Sequence, residues 1–353
     1  MTINLEPIAK AKAFSVPTVS RALSNPDYPL KAATRQRINE VAREMGYLPN
    51  LTARSLRTDQ SNTIGIIVDD ILSPFAPRIL RGIQDSLKRF NYLNLIMNSD
   101  WYPEVEQEAI STLLSLPVDG IIFVENAHLK DNGVLHESGK PFVFVHRFIG
   151  STVTNSIVPN NYDGVVKALR HLVALGHRRI AFINGPDGWP VAHQRLQAYK
   201  EELVGQNLEF DPTLVEKGDW EYEGGYKAAK ILLKLSNLPT AIFVANDLMA
   251  LGAIDAIHEA GLNVPQDIAI VGYDNRDFTR IVRPSITTVS IPAYEMGRIG
   301  AEFLMTQIKD GRQEMDEIKV DGQLFIRETC GADPSERTPD DDQVSQRQHV
   351  TFS

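Results

Sequence analysis

The sequence predicts an α plus α/β protein, a short helical module followed by a large body of doubly wound parallel sheets. Three observations carry this expectation. The chain has 353 residues, too many for one ordinary domain, and 43% are hydrophobic, enough for sizeable cores. Charge is split along it: residues 1–60 hold nine Lys and Arg against five acids, although the formal net charge overall is −9. From Thr63 onward, short Val/Ile/Phe-rich runs alternate with amphipathic stretches, the pattern of parallel strands covered on both faces by helices.

The first module takes shape from residue spacing. A helix is expected over residues 5–12, with Ile8 and Ala9 turned inward. A second starts near Ser15, whose hydroxyl can cap free amides, with Pro17 tolerated in the first turn. Val19 and Leu23 share one face of it, while Thr18 and Arg21 lie elsewhere. A third, over residues 34–45, carries Ile38, Val41, Ala42 and Met45 as its stripe and stops at Gly46. Such spacing fits a helix-turn-helix whose second helix enters the major groove of DNA, but on periodicity alone a plain three-helix interaction module is the commoner reading. Residues 50–61, NLTARSLRTDQS, hold too few apolar side chains for a core and read as a linker.

In the body, the strand-like runs are TIGIIV, YLNLIM, DGIIFV, PFVFV, RRIAFI, TAIFVA and IAIVGY, with a weaker one at TLVEK. Between them, helices are expected at residues 79–90, 105–116, 162–175, 194–204, 224–235 and 250–260. So long a repetition suits two lobes better than one. The tail, residues 333–353, is polar and reads as disordered.

Several classes are disfavoured. No run of 18 apolar residues occurs, so no membrane span is expected. The start, MTINLEPIAKAKAF, lacks the apolar core of a signal peptide, which points to the cytoplasm. Cys330 is the single cysteine, leaving no internal disulfide or cysteine-based zinc cluster. No nucleophile elbow, phosphate-binding loop or H-E-x-x-H helix is present, and Asp69 and Asp70 face opposite ways on an extended segment. The expectation is a binding protein without a cofactor, not an enzyme.

Ligands of open α/β sheets sit beyond the carboxyl ends of the strands. There the chain reads DDILSPF, NSDWY, HR, NGPDGWP, GDW, ND and DN, and all three tryptophans, Trp101, Trp189 and Trp220, fall in these segments. They predict an aromatic-lined cleft, since flat rings stack on bases or on the C–H faces of sugars.

With these features in hand, the chain resembles the LacI/GalR family of transcriptional repressors from residue 3 to about 332. The stretches that carry the likeness are TVSRAL, ATRQRI, GYLPN, ARSLRT, NTIGIIV, RGIQ, VDGII, GHRRIAFI, GDW, ANDLMALGA and VPQDIAIVGYDN, in that order. The resemblance implies a headpiece at 1–49, a hinge helix at 50–61 and a two-lobed core at 62–332 like type I periplasmic binding proteins. It implies a homodimer on pseudo-palindromic double-stranded operator DNA.

By matching positions, Ser15, Val16, Pro17, Thr18, Ser20 and Arg21 lie in the recognition helix, with Val16, Pro17 and Arg21 at base edges and Thr18 and Ser20 on phosphates. Asn50, Ala53, Arg54 and Leu56 fall in the hinge, where Leu56 matches a wedge that kinks the minor groove. The effector cleft is expected to include Ser73, Phe75, Trp101, Arg147, Arg195, Trp220, Asn246 and Asp274, a set that suits a polyhydroxylated ligand such as a sugar. Lys12, Ala13, Pro17, His146, Asn160 and Ile291 depart from the common pattern. Within the family, a purine or nucleoside effector, or a phosphorylated carrier protein as corepressor, are the alternatives. A sugar-binding protein or sugar-active enzyme without DNA binding is the reading from another class.

Overall fold

The computed structural model describes residues 5–11, 14–24, 28–47, 60–124, 137–146, 155–311 and 314–339. Three helices come first, α1 (Leu5–Ala11), α2 (Val16–Ser24) and α3 (Ala32–Glu44). Ile8, Ala9, Val19, Ala22, Ile38, Val41 and Ala42 close on one another as a small core of their own. Gly46, at φ +63°, ends the module's last turn in a conformation that favours glycine.

The first lobe is built on β1 (Thr63–Val68), β2 (Leu93–Asn98), β3 (Gly120–Val124), β4 (Phe142–Val145), β5 (Ser156–Pro159) and β11 (Ile318–Val320). Its order is β11-β5-β4-β3-β1-β2, and every pairing is parallel. Helices α4 (Ala76–Arg89), α5 (Pro103–Ser115) and α10 (Ala293–Asp310) pack against it. The alternation of β1 divides the core: Ile64, Ile66 and Val68 join one cluster, while Ile67 joins another with Ile110 and Leu113 of α5.

The second lobe orders β12 (Leu324–Phe325), β10 (Thr287–Ser290), β9 (Ala269–Asp274), β8 (Ala241–Val244), β6 (Ile180–Asn184) and β7 (Val215–Lys217), in that sequence. Only the β10–β12 pairing is antiparallel. Helices α6 (Asn161–Ala174), α7 (Pro190–Gly205), α8 (Tyr222–Leu232) and α9 (Asp247–Glu259) flank it.

The chain passes between lobes three times, near Asn160, Ile291 and Gly322. The passages are bonded sideways. The Asn160 N–H donates to Val320 O at 2.8 Å, and its Nδ2 donates to Asp321 Oδ1 at 2.7 Å. Gln323 N–H donates to Ser290 Oγ at 3.0 Å, and Ser290 N–H returns a bond to Gln323 O at 2.8 Å.

One helix crossing is close because small residues meet there. In the α4–α10 crossing, a Cβ at Gly82 would overlap the Tyr294 carbonyl oxygen, and one at Gly297 would overlap that of Ile79.

The fold is the one the alternating pattern predicts, with three differences. The strands β5, β10, β11 and β12 lie outside the apolar runs, because two to four residues give no readable period. The run around β2 is not covered on both faces: Leu93, Leu95 and Ile96 are 59%, 39% and 39% exposed on an edge strand. The packed chain also continues past 332. Thr338 N–H donates to Ile326 O at 2.9 Å, and Arg337 lies 3.6 Å from Glu328, so a polar composition did not mean disorder through residue 339.

Candidate functional site

Two places gather the chemistry. The first is the outer side of α2, opposite the buried Val19 and Ala22. Ser15, Val16, Pro17 and Arg21 are exposed there, with Thr18 and Ser20 half-buried. Ser15 Oγ accepts the Thr18 N–H at 3.2 Å and lies 2.7 Å from Thr18 Oγ1, a side-chain cap on the helix start. Arg35 of α3 donates to Ala22 O at 2.9 Å and to Tyr28 O at 2.5 Å, fixing the segment after α2. An exposed helix face carrying hydroxyls and a projecting guanidinium suits an anionic, groove-shaped partner.

Of the hinge residues expected from sequence, Asn50, Ala53, Arg54 and Leu56 lie outside the described residues, as do Lys12 and Ala13.

The second place is the interlobe cleft. From the first lobe, the ends of β1 and β4 bring Phe75 and His146 edge to face, with centroids 5.0 Å apart at 74°. His146 is buried, and burial together with the Arg195 guanidinium of the other lobe holds its imidazole down at about 4. It is therefore neutral throughout the physiological range.

Arg195, on α7, is buried at the centre of the second lobe's wall. Its Nε and Nη2 donate to Asn161 Oδ1 at 3.3 and 3.0 Å, and Nη1 donates to Ala245 O. The guanidinium stacks 3.7 Å above the Tyr273 ring and 6.0 Å from that of Trp220. Trp220 meets Trp189 edge-on at 6.0 Å, and its Nε1 is buried without a hydrogen-bond partner among the described residues.

Asp274 closes the constellation from the end of β9, at φ +109°. Its carboxyl accepts no hydrogen bond among the described residues. Burial pushes it up to about 7, against the opposing pull of Arg195 and Arg276. Neighbouring Asp247 is buried and also raised, by burial first and then by Asp274. Its oxygens are taken by Thr288 Oγ1 at 2.6 Å and the Arg276 N–H at 2.8 Å. Asp274 thus keeps its carboxyl open, and Asp247 stands hydrogen-bonded behind it.

Other expected residues have work within the fold. Asn246 caps α9 by accepting the Met249 N–H at 2.8 Å, and donates to Trp220 O at 2.8 Å, so it holds the tryptophan in place. Ser73 Oγ accepts the Ala76 N–H at 3.1 Å and caps α4. The three tryptophans are not gathered together. Trp189 and Trp220 meet, while Trp101 sits on the first lobe at the end of the edge strand, 41% exposed. Arg147 lies outside the described residues. Asn161 and Tyr273 hold Arg195 and carry little signal in the sequence: Tyr273 stands in the IAIVGY run, and Asn161 follows β5, a strand without a readable period.

With an aromatic pair, a fixed guanidinium and an open carboxyl, the cleft can bind a ligand carrying a flat face and hydroxyls. No nucleophile is paired with a base among these residues.

Comparison with known proteins gives the class first. The description "Bacterial regulatory proteins, lacI family" matches residues 4–50, and "Periplasmic binding protein-like domain" matches residues 169–330. The HTH-type transcriptional repressor CytR of Escherichia coli (strain K12) is 34% identical over 331 residues, covering 94% of this chain and 97% of the relative. The protein belongs to the LacI family. Among solved structures, a Lac repressor dimer bound to operator and the anti-inducer ONPF aligns with TM-score 0.80 at 28% identity, over 94% of this chain and 100% of that one. A transcriptional regulator CelR–cellobiose complex aligns with TM-score 0.67 at 29% identity, over 93% and 99%.

Proposed function

We propose that the protein is a cytoplasmic, homodimeric repressor that binds pseudo-palindromic operator DNA and catalyses no reaction. A small effector between the lobes changes its operator affinity. The observation that carries this is the joining, in one chain, of an exposed α2 face to a cleft with an unspent acceptor at Asp274. Full-length similarity to CytR supports it across both parts. Residues 1–49 would read DNA, 50–61 form the hinge, and the core from 62 onward hold effector and partner subunit. The apolar edge at Leu93, Leu95 and Ile96 supports dimerisation, since an open apolar strand edge is a pairing surface.

For the effector we infer a sugar. Trp220 and Trp189 offer ring faces, Asp274 accepts from hydroxyls, and Arg195 supplies fixed donors. The CelR neighbour, whose structure contains cellobiose, supports the class.

The test is a gel shift of the full-length protein against a library of pseudo-palindromic duplexes. Retention of a subset is expected, with log K falling against log salt at a slope of about −0.9 per phosphate contact. No salt-sensitive retention of any duplex would end the repressor reading.

A further inference from the structure

Ser61 and Asn62, just ahead of β1, are gripped by a side chain 58 and 57 residues further along the sequence. One oxygen of the Asp119 carboxylate accepts the Ser61 N–H at 2.8 Å and the Ser61 hydroxyl at 3.0 Å. The other accepts the Asn62 N–H at 2.8 Å. Asp119 N–H donates back to Thr63 O at 2.9 Å, and Leu93 N–H, from the start of β2, donates to Asn62 O at 2.9 Å. The Tyr92 hydroxyl faces the same carboxylate. Burial, and then the Asp119 charge, push it up to about 12, so it keeps its proton at any working pH.

These bonds fix a direction. Asn62 lies at φ +54°, in the left-handed region, where a residue with a side chain stays when its neighbours hold it. Asp119 supplies a charged acceptor there, and hydrogen bonds to charged groups are roughly twice as strong as neutral ones. The location is equally telling. Asp119 and Asn62 stand at the amino ends of β3 and β1, whereas the cleft lies beyond the carboxyl ends. The six residues of β1, about 20 Å of strand, separate this grip from the loop that carries Phe75.

We propose that Asp119 is a positioning residue for DNA recognition: by gripping Ser61 and Asn62 it sets the direction in which the hinge leaves the core. The inference rests on the reading of residues 50–61 as the hinge. A preferred duplex requires two headpieces at a fixed spacing. Random DNA is held by phosphate contacts that tolerate many arrangements. Loss of the grip therefore lowers the preference for operator and leaves charge-driven binding in place.

The experiment measures, in competition gel shifts, the ratio of the full-length protein's affinities for preferred and random duplexes. Asp119→Ala is expected to cut that ratio about fivefold to tenfold, the size of one hydrogen bond lost from the bound state. Asp119→Asn keeps one accepting oxygen and should recover part of the ratio. Ser61→Ala removes only the hydroxyl bond and should stay within about twofold of wild type. The ratio is internal to each variant, so a general loss of folding does not imitate the effect. An unchanged ratio in Asp119→Ala, with both affinities intact or both reduced alike, would overturn the proposal. If Asp119→Ala binds no DNA at all, the Asp119→Asn ratio decides by the same criterion. Leu56→Ala, run alongside, separates the two readings. A ratio lowered there but not in the Asp119 variants leaves the hinge standing without this grip, and a ratio unchanged in both overturns the hinge reading together with the proposal.

Discussion

The Arg21 guanidinium lies over the Tyr28 ring, 5.7 Å from its centroid, and the Tyr28 carbonyl is in turn held by Arg35 at 2.5 Å. The third helix thereby backs the exposed side chain of the second. Arg21→Ala should lower affinity for the preferred duplex by about 1–3 kcal/mol and relax the choice of base at one position. Tyr28→Leu should lose about 0.5–1 kcal/mol, with Tyr28→Phe close to wild type. Competition gel shifts with preferred and random duplexes measure both. Equal losses on the two kinds of DNA would sink the positioning role.

Leu56→Ala addresses the hinge. A wedge between base steps helps only where the duplex can be kinked, at an unstacking cost of a few kcal/mol. Specific binding should weaken far more than non-specific binding. A parallel drop in both would show that Leu56 is no wedge.

The Asp274 carboxyl, raised by burial to about 7, ties stability to pH. A carboxyl whose folded value lies above its unfolded value stabilises fully in acid, and that stabilisation is lost as pH rises through the folded value. Asp247 is raised as well and acts in the same direction. The stability of the wild type relative to Asp274→Asn should therefore fall as pH rises from about 4 to about 7. Thermal melts of the two proteins across that range check it; a constant difference would mean the carboxyl titrates normally.

Gly297→Ala should cost roughly 1–3 kcal/mol or more, because its methyl would overlap the backbone oxygen of Ile79. Gly205, with open space around it, should accept alanine at no cost or with a gain of about 0.4–1 kcal/mol. Urea melts of both variants provide the comparison.

What could be read from sequence followed local period. Ile8, Val19, Ile38 and Val41 all fall in the buried core that helical spacing assigned to them. The TTVS strand at Thr287–Ser290 had no such signal, because its buried threonines are satisfied by distant groups such as Thr329 and Asp247. The cleft divides the same way. Arg195 was legible by its resemblance, but its partner Asn161 stands 34 residues away on another helix. Trp101 parted from the other tryptophans because its strand belongs to the other sheet.

The three passages between lobes also govern how the protein is made. The first lobe begins at β1, yet α10 and β11, which cover and extend its sheet, are not synthesised until residues 293–320. By then nearly all of the second lobe has left the ribosome, and it still awaits β12 at Leu324–Phe325. Neither lobe can be completed while the other is only half translated. A prematurely terminated chain thus yields a headpiece without a finished core, able at most to touch DNA and deaf to any metabolite.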